Sequence, residues 1–275
     1  MVHESSRNRF NASRLVRVLT DLAGTDTCES KQPFADRLGQ WLSLADALSL
    51  YSALNAGTAG TSAVPTPSPS PECETMRKTF ERLRSVLTAS IRADDVLAPG
   101  NARDVSPAPA ANAAGEGAAD FAPWHRHYVA HQRDMSAKIA PLRATVRAAL
   151  ARRSPALQRL AALDAMMDQA LAARERDLLA TVPALLQRHF EQLRDAHRAA
   201  QIMLHSPAEP PLPSMSDMPA EAHAADNPDR PMQPGGWVAE FGRQMQAVLL
   251  AELELRLQPV AGLLAALENE ETSKQ

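Results

Sequence analysis

Apolar residues along this chain recur every three or four positions and never alternate with period two, which is the spacing of helices with one buried face. Leu15, Val18, Leu19 and Leu22 predict a short helix, with Ser13 placed to cap its start and Gly24 to close it. Phe34, Leu38, Trp41, Ala45 and Leu48 follow a 4-3-4-3 rhythm that predicts a second helix. Met76, Phe80, Leu83, Leu87 and Ile91 predict a third. From Asp120 to Leu204 the pattern is almost wholly helical, with kinks expected at Pro141 and Pro183. There Ser154 and Pro155 read as a cap followed by proline at the first helical position. One stripe comprises Leu160, Leu163, Met167, Leu171 and Leu178, and the next Leu186, Phe190, Leu193, His197, Ala200 and Leu204. A last helix carries Phe241, Met245, Leu249, Leu253 and Leu257 and is expected to break at Pro259.

Three stretches interrupt the pattern: 56–71, 98–119 and 205–235, the last with eight prolines. They bury too little apolar surface to offset the entropy of ordering, so they read as linkers. The expected organisation is an N-terminal helical block (1–55), a helix (72–97), a long helical hairpin region (120–204) and a C-terminal block (236–268). Loops this long are uncommon inside compact domains, which predicts helical blocks on tethers. The fold class is all-α: an antiparallel bundle or long helical hairpins joined by Pro/Ala-rich linkers.

Composition sharpens this picture. Of 275 residues, 51 are Ala and 33 Leu, which favours helix over sheet. Aromatics are only 4 %, so the core is expected to be aliphatic. Neither GxGxxG nor GxxxxGK[ST] occurs, which excludes the two common nucleotide-binding fingerprints. Two cysteines, Cys28 and Cys73, make neither a disulfide framework nor a zinc knuckle and point to a reducing compartment. The first ten residues lack an apolar segment behind their charges, and the most apolar stretch, Val248–Leu267, is interrupted by Glu252, Glu254 and Arg256. A soluble, cytoplasmic protein is expected.

Candidate chemistry is sparse. His127 and His131 stand at i and i+4, a spacing two metal ligands would use, but Asp134 is the only acid nearby in sequence. A helix-end cluster packed on Trp124 and Tyr128 is the commoner arrangement, so no metal and no cofactor is expected. His197 and His189, set among apolar residues, read as partnered core histidines. Cys28 has Glu29 as its neighbour and Cys73 lies between Glu72 and Glu74, settings that disfavour a thiolate. No GxSxG or SxxK motif is present, and no catalytic residue is assigned.

Charge is the feature above background. Residues 126–159 carry Arg126, Arg133, Lys138, Arg143, Arg147, Arg152, Arg153 and Arg159 against Asp134 alone, a net +7 in a chain whose total is −3. On a straight helix Arg126, Arg133, Arg143 and Arg147 share an arc of about 100°. Such a stripe has three readings: a phosphate track along nucleic acid, a docking face for an acidic protein, or a solvated face. Asp134 interrupts it, which favours protein docking over a continuous phosphate track.

Several blocks carry a resemblance. They are Ser13–Arg17, Gln32–Leu42, Tyr128–Met135, Ile139–Arg143, Ala151–Leu157, Ala184–Phe190 and Met245–Leu267. They resemble an uncharacterised proteobacterial helical family that is similar to ZorF, an accessory protein of the type III Zorya antiphage defence system. The resemblance spans every helical block, skips the linkers and supplies no catalytic residues. It implies a role in phage resistance, with a ZorG-like protein as partner and the ZorA/ZorB proton-driven motor at the inner membrane upstream. The expected function is thus a non-enzymatic helical subunit that docks an acidic protein surface through its arginine-rich helices. A sequence-independent DNA-binding subunit and a metal-dependent nuclease-type effector are the alternatives; the second lacks the acid-rich cluster that two-metal hydrolysis uses.

Overall fold

The structure, a computed structural model, describes residues 13–24, 34–55, 71–97, 120–205 and 236–272. These form eight helices and no strand: α1 (Arg14–Ala23), α2 (Phe34–Trp41), α3 (Leu44–Asn55), α4 (Pro71–Arg92), α5 (Ala122–Ala151), α6 (Pro155–Leu179), α7 (Val182–His205) and α8 (Trp237–Thr272). The protein is all-α, as the spacing predicts. The three predicted linkers, apart from their edge residues Pro71 and His205, lie outside the described residues, as does Cys28.

Helix α8 is the axis of the fold and packs on α5, α4, α1, α7 and α6. Its predicted face, Phe241, Met245, Leu249, Leu253 and Leu257, is buried throughout. The predicted break at Pro259 does not occur, and the helix runs on to Thr272. An interior proline costs about 3 kcal/mol. Val260, Leu263, Leu264 and Leu267 continue the buried face beyond it, and their burial offsets that cost. Pro141 likewise sits inside the unbroken α5. Pro183 falls in the first turn of α7, where its missing N–H is not needed, so it marks a start and not a kink.

Local signals set several helix ends. Ser13 Oγ accepts from Val16 N at 3.3 Å, and Gly24 closes α1 in the left-handed conformation at φ 59°. Ser154 caps α6 through Leu157 N at 3.3 Å. The helix predicted from Phe34 to Leu48 is in fact two. Ser43 and Asp46 form a reciprocal capping box, with Asp46 N donating to Ser43 Oγ at 3.1 Å and Ser43 N to Asp46 Oδ2 at 3.0 Å. These bonds reward a new helix start at Leu44. Trp41, at the end of α2, has the guanidinium groups of Arg37 (5.3 Å) and Arg174 of α6 (5.5 Å) over its ring, and the second contact fastens this hairpin to the body.

The core is not wholly aliphatic. Phe121, Trp124, Phe190, Trp237 and Phe241 gather where α5, α7 and α8 meet, with centroids 5.0 Å apart for Phe190–Phe241 and 5.1 Å for Trp124–Phe241. Scarce aromatics are concentrated, not dispersed. On α6 the stripe also shifts, because Leu179 is buried and Leu178 exposed. Gly242 is required by close approach: a Cβ there would stand 2.5 Å from the Leu97 carbonyl oxygen. The turn after α4 is thereby seated directly on α8.

Candidate functional site

Helix α5 carries most of the basic segment, and α6 returns antiparallel to it after the Arg152–Ser154 turn. This hairpin decides what each arginine does. Asp164 and Asp168 stand at i and i+4 on α6, and the hairpin register sets them against Arg143 and Arg147, also at i and i+4. Arg143 donates to Asp164 Oδ2 at 2.9 Å and Oδ1 at 2.6 Å, and to Asp168 Oδ1 at 2.7 Å. Arg147 donates to Asp164 Oδ2 at 2.5 Å and Asp168 Oδ2 at 2.6 Å. Both guanidinium side chains are largely buried, 16 % and 18 % exposed. These two arginines form an interhelical joint, so the exposed arc expected from the sequence is corrected: half of it faces α6.

Electrostatics follow from that lattice. Burial alone would raise the Asp164 carboxyl, but the hydrogen bonds from Arg143 and Arg147 outweigh it and hold the group below the usual aspartate range. For Arg147, burial works against the charge, and the bonds to Asp168 and Asp164 more than restore it.

The remaining cations divide. Lys138 pairs with Asp134 one turn away at 2.8 Å. Arg152 reaches Glu72 of α4 at 2.6 Å, and Arg153 approaches the same carboxylate at 3.9 Å. Arg126, Arg133 and Arg159 are exposed, with no acidic partner among the described residues; Arg126 Nε lies 3.5 Å from the Ala122 carbonyl. Arg126 and Arg133 share a face of α5, about 10 Å apart along the axis. Arg152 and Arg159 sit at the α5–α6 corner, with Arg152 about 39 Å from Arg126. The structure therefore presents Arg126 and Arg133 as one exposed pair and Arg159 as a separate exposed cation at the corner, beside the Arg152–Glu72 pair.

His127 and His131 converge as their spacing predicts, but on an acid from elsewhere in the chain. Asp94, just past α4, accepts from His127 Nδ1 at 3.0 Å and His131 Nε2 at 2.9 Å, both on Oδ2, while its Oδ1 accepts from Val96 N at 2.9 Å. Burial would raise the Asp94 carboxyl; the two histidines and the Val96 amide pull it below its ordinary value. Sharing one oxygen makes this a hydrogen-bonded clasp between the α4 turn and α5. Among the described residues, no group of three or more His, Cys, Asp or Glu is arranged to hold a metal ion.

The other two histidines are less complete than expected. His189 Nε2 contacts Gln244 Oε1 at 2.5 Å, but its Nδ1 and the Nε2 of His197 are buried without a hydrogen-bond partner among the described residues.

The polar group missed in the sequence is Glu252, which is fully buried in α8. Tyr128 Oη donates to it at 2.5 Å, Gln132 Nε2 at 3.1 Å to each oxygen, and Arg256 Nε at 2.8 Å. Burial, and then the neighbouring Glu252 charge, push the Tyr128 phenol far up, so it stays a neutral donor. Gln132 also donates to Leu179 O at 3.3 Å, tying α5, α6 and α8 at one point. The sequence signal was present, since Glu252 interrupts the most apolar stretch of the chain.

With each polar cluster placed, the comparisons with known proteins bear on the whole chain, because one family model covers residues 1–269. The chain belongs to DUF3348, a family of proteins of unknown function. No curated protein and no solved structure matches this DUF3348 chain. No helix among its described residues is long and apolar enough to cross a membrane.

An open groove of about 780 Å³ runs between α4 and α5 past Pro141, lined by Met76, Leu83 and Leu142 with three threonines and the charged Glu72 and Lys138.

One pH dependence follows. Asp94 and Asp164 both have folded values below the unfolded one, so the stability they contribute is fully present above about pH 4 and is lost as pH falls through the lower folded values. Urea unfolding as a function of pH should show a flat region down to about pH 4 and a fall below it. Asp164→Asn should make that fall shallower.

Proposed function

We propose that this chain is a non-enzymatic helical subunit of a Zorya-type antiphage complex that docks an acidic surface of a ZorG-like protein. It would act in the cytoplasm, downstream of the ZorA/ZorB motor and reaching the inner membrane only through it. The defence setting rests on the resemblance of the helical blocks described above. Docking rests on one structural observation. The polar clusters of the helical body are spent on joining helices, whereas Arg126, Arg133 and Arg159 point outward without acidic partners among the described residues.

The same observation narrows the site from eight cations to these three, with the Glu72-paired Arg152 beside Arg159. Asp164, Asp168 and Glu72 neutralise three of the seven net charges of the segment. Exposed cations divided between the first half of α5 and the α5–α6 corner suit an acidic protein better than a continuous run of phosphates.

Retrieval of the tagged full chain from native cells tests this reading. The expected result is a stoichiometric acidic protein released by raising salt, with no requirement for nucleic acid. Recovery of DNA in its place, lost on nuclease treatment, would support the DNA-binding alternative and overturn protein docking.

A further inference from the structure

Helices α1 and α4 both lie on α8, and a cleft of about 140 Å³ opens where all three meet. Its floor is apolar, made by Leu253 and Leu257 of α8, both buried. Its walls are cationic. Arg84, Thr88 and Arg92 stand at i, i+4 and i+8 on α4 and so share one face, the two arginines about 12 Å apart along the axis with Thr88 midway. Arg14, the first residue of α1, lines the other side.

This cleft is short of acceptors. The one acid in its described lining is Glu254, whose carboxylate takes Arg14 at 3.1 Å. Arg84 and Arg92 have no hydrogen-bond or ion-pair partner among the described residues, although Glu81 and Asp95 line the outer side of the same helix face. Thr88 is unspent as well. Thr20, Thr79 and Thr145 return their hydroxyls to the carbonyl one turn back, whereas the Thr88 hydroxyl has no partner among the described residues. Three arginines against one glutamate leave the lining at net +2.

We propose that this cleft binds a terminal phosphoryl group, free or carried on a small monoester. At about 30 Å³ for each water-sized group, the cleft has room for about five. That matches the five heavy atoms of one phosphate and leaves no space for a nucleoside. Guanidinium groups from both sides of a hydroxyl suit the divergent oxygens of a tetrahedral dianion. A carboxylate is already supplied by Glu254, and it engages Arg14 while the α4 donors stay unbonded. The start of α1 adds the partial positive charge of a helix N-terminus. Arg126 and Arg133 lie on α5, outside the cleft, so the site stands or falls apart from protein docking.

The phosphorus-31 resonance of inorganic phosphate, followed with the full chain at constant ionic strength, tests the proposal. The parent should broaden it saturably, with a dissociation constant on the order of 1 mM. Arg84→Gln with Arg92→Gln should weaken binding about tenfold or more with unchanged helical circular dichroism. Should that double variant fail to fold, Arg92→Gln alone should weaken binding several-fold. Arg126→Gln with Arg133→Gln should bind phosphate like the parent. Glycerol phosphate should displace the phosphate, whereas dimethyl phosphate, a singly charged diester like a nucleic-acid backbone, should not. No saturable broadening by the parent would overturn the proposal, as would α4 variants that bind normally or loss of binding in the α5 variant. Equal displacement by the diester would overturn it too, by marking the cleft as a contact for a nucleic-acid backbone.

Discussion

Glu252→Ala is expected to destabilise the protein by about 3–5 kcal/mol, the range for removing one partner of a buried ion pair. Its carboxylate is the acceptor for Tyr128, Gln132 and Arg256 at the centre of the bundle. Alanine would leave the Tyr128 hydroxyl without its acceptor in a fully buried position and leave the largely buried Arg256 charge only the looser Glu175 carboxylate at 3.8 Å. In a domain of this size that corresponds to a fall in melting temperature of about 10 °C. Tyr128→Phe removes one hydrogen bond and leaves the ion pair intact, so it should cost only about 1–2 kcal/mol. Glu252→Leu combined with Arg256→Met should recover most of the loss, because an apolar pair of similar volume removes the under-compensated buried charge. A Glu252→Ala protein that melts with the parent would contradict the buried network.

Asp164→Ala should be nearly as damaging, at about 3 kcal/mol, because it leaves Arg143 and Arg147 facing Asp168 alone. Thermal unfolding checks this directly. Exchanging arginine for lysine at both positions should not rescue the joint as well as the native pair, since each guanidinium spans two carboxylates in a fork that a single ammonium cannot match. The same variants carry a functional consequence. Loss of partner binding on altering Arg143 or Arg147 would follow from loosening the α5–α6 hairpin, whereas loss on altering Arg126 or Arg133 would not.

Much of the helical fold was legible because it depends on local spacing. The five-residue stripe of α8, the Ser13 and Ser154 caps and the Gly24 terminus each follow from residues within a few turns of one another. Ser43 and Asp46 were equally local, but the continuous 4-3-4-3 rhythm across them masked the helix break. Pro259 misled for the opposite reason: the local signal said stop, and tertiary burial beyond it prevailed. The site was less legible, since its partners lie far apart in sequence. Asp94 stands 33 residues before His127, and Glu252 124 residues after Tyr128. The arginine joint was within reach, because Asp164 and Asp168 repeat the i, i+4 spacing of Arg143 and Arg147 on the other side of a capped turn. Projection onto a single straight helix concealed it by leaving out the helix that α5 packs against.

The division of the arginines into joint and surface is tested most directly by one titration. The acidic protein recovered with the chain would be titrated against the parent and against the Arg126→Gln, Arg133→Gln, Arg159→Gln variant, with melting recorded on the same samples. Exposed charges act mainly through association and salt dependence, so the variant should bind about tenfold more weakly, with a flatter salt dependence and an unchanged melting temperature. Binding as tight as the parent's, with the salt dependence intact, would contradict the assignment of these three arginines to the docking surface.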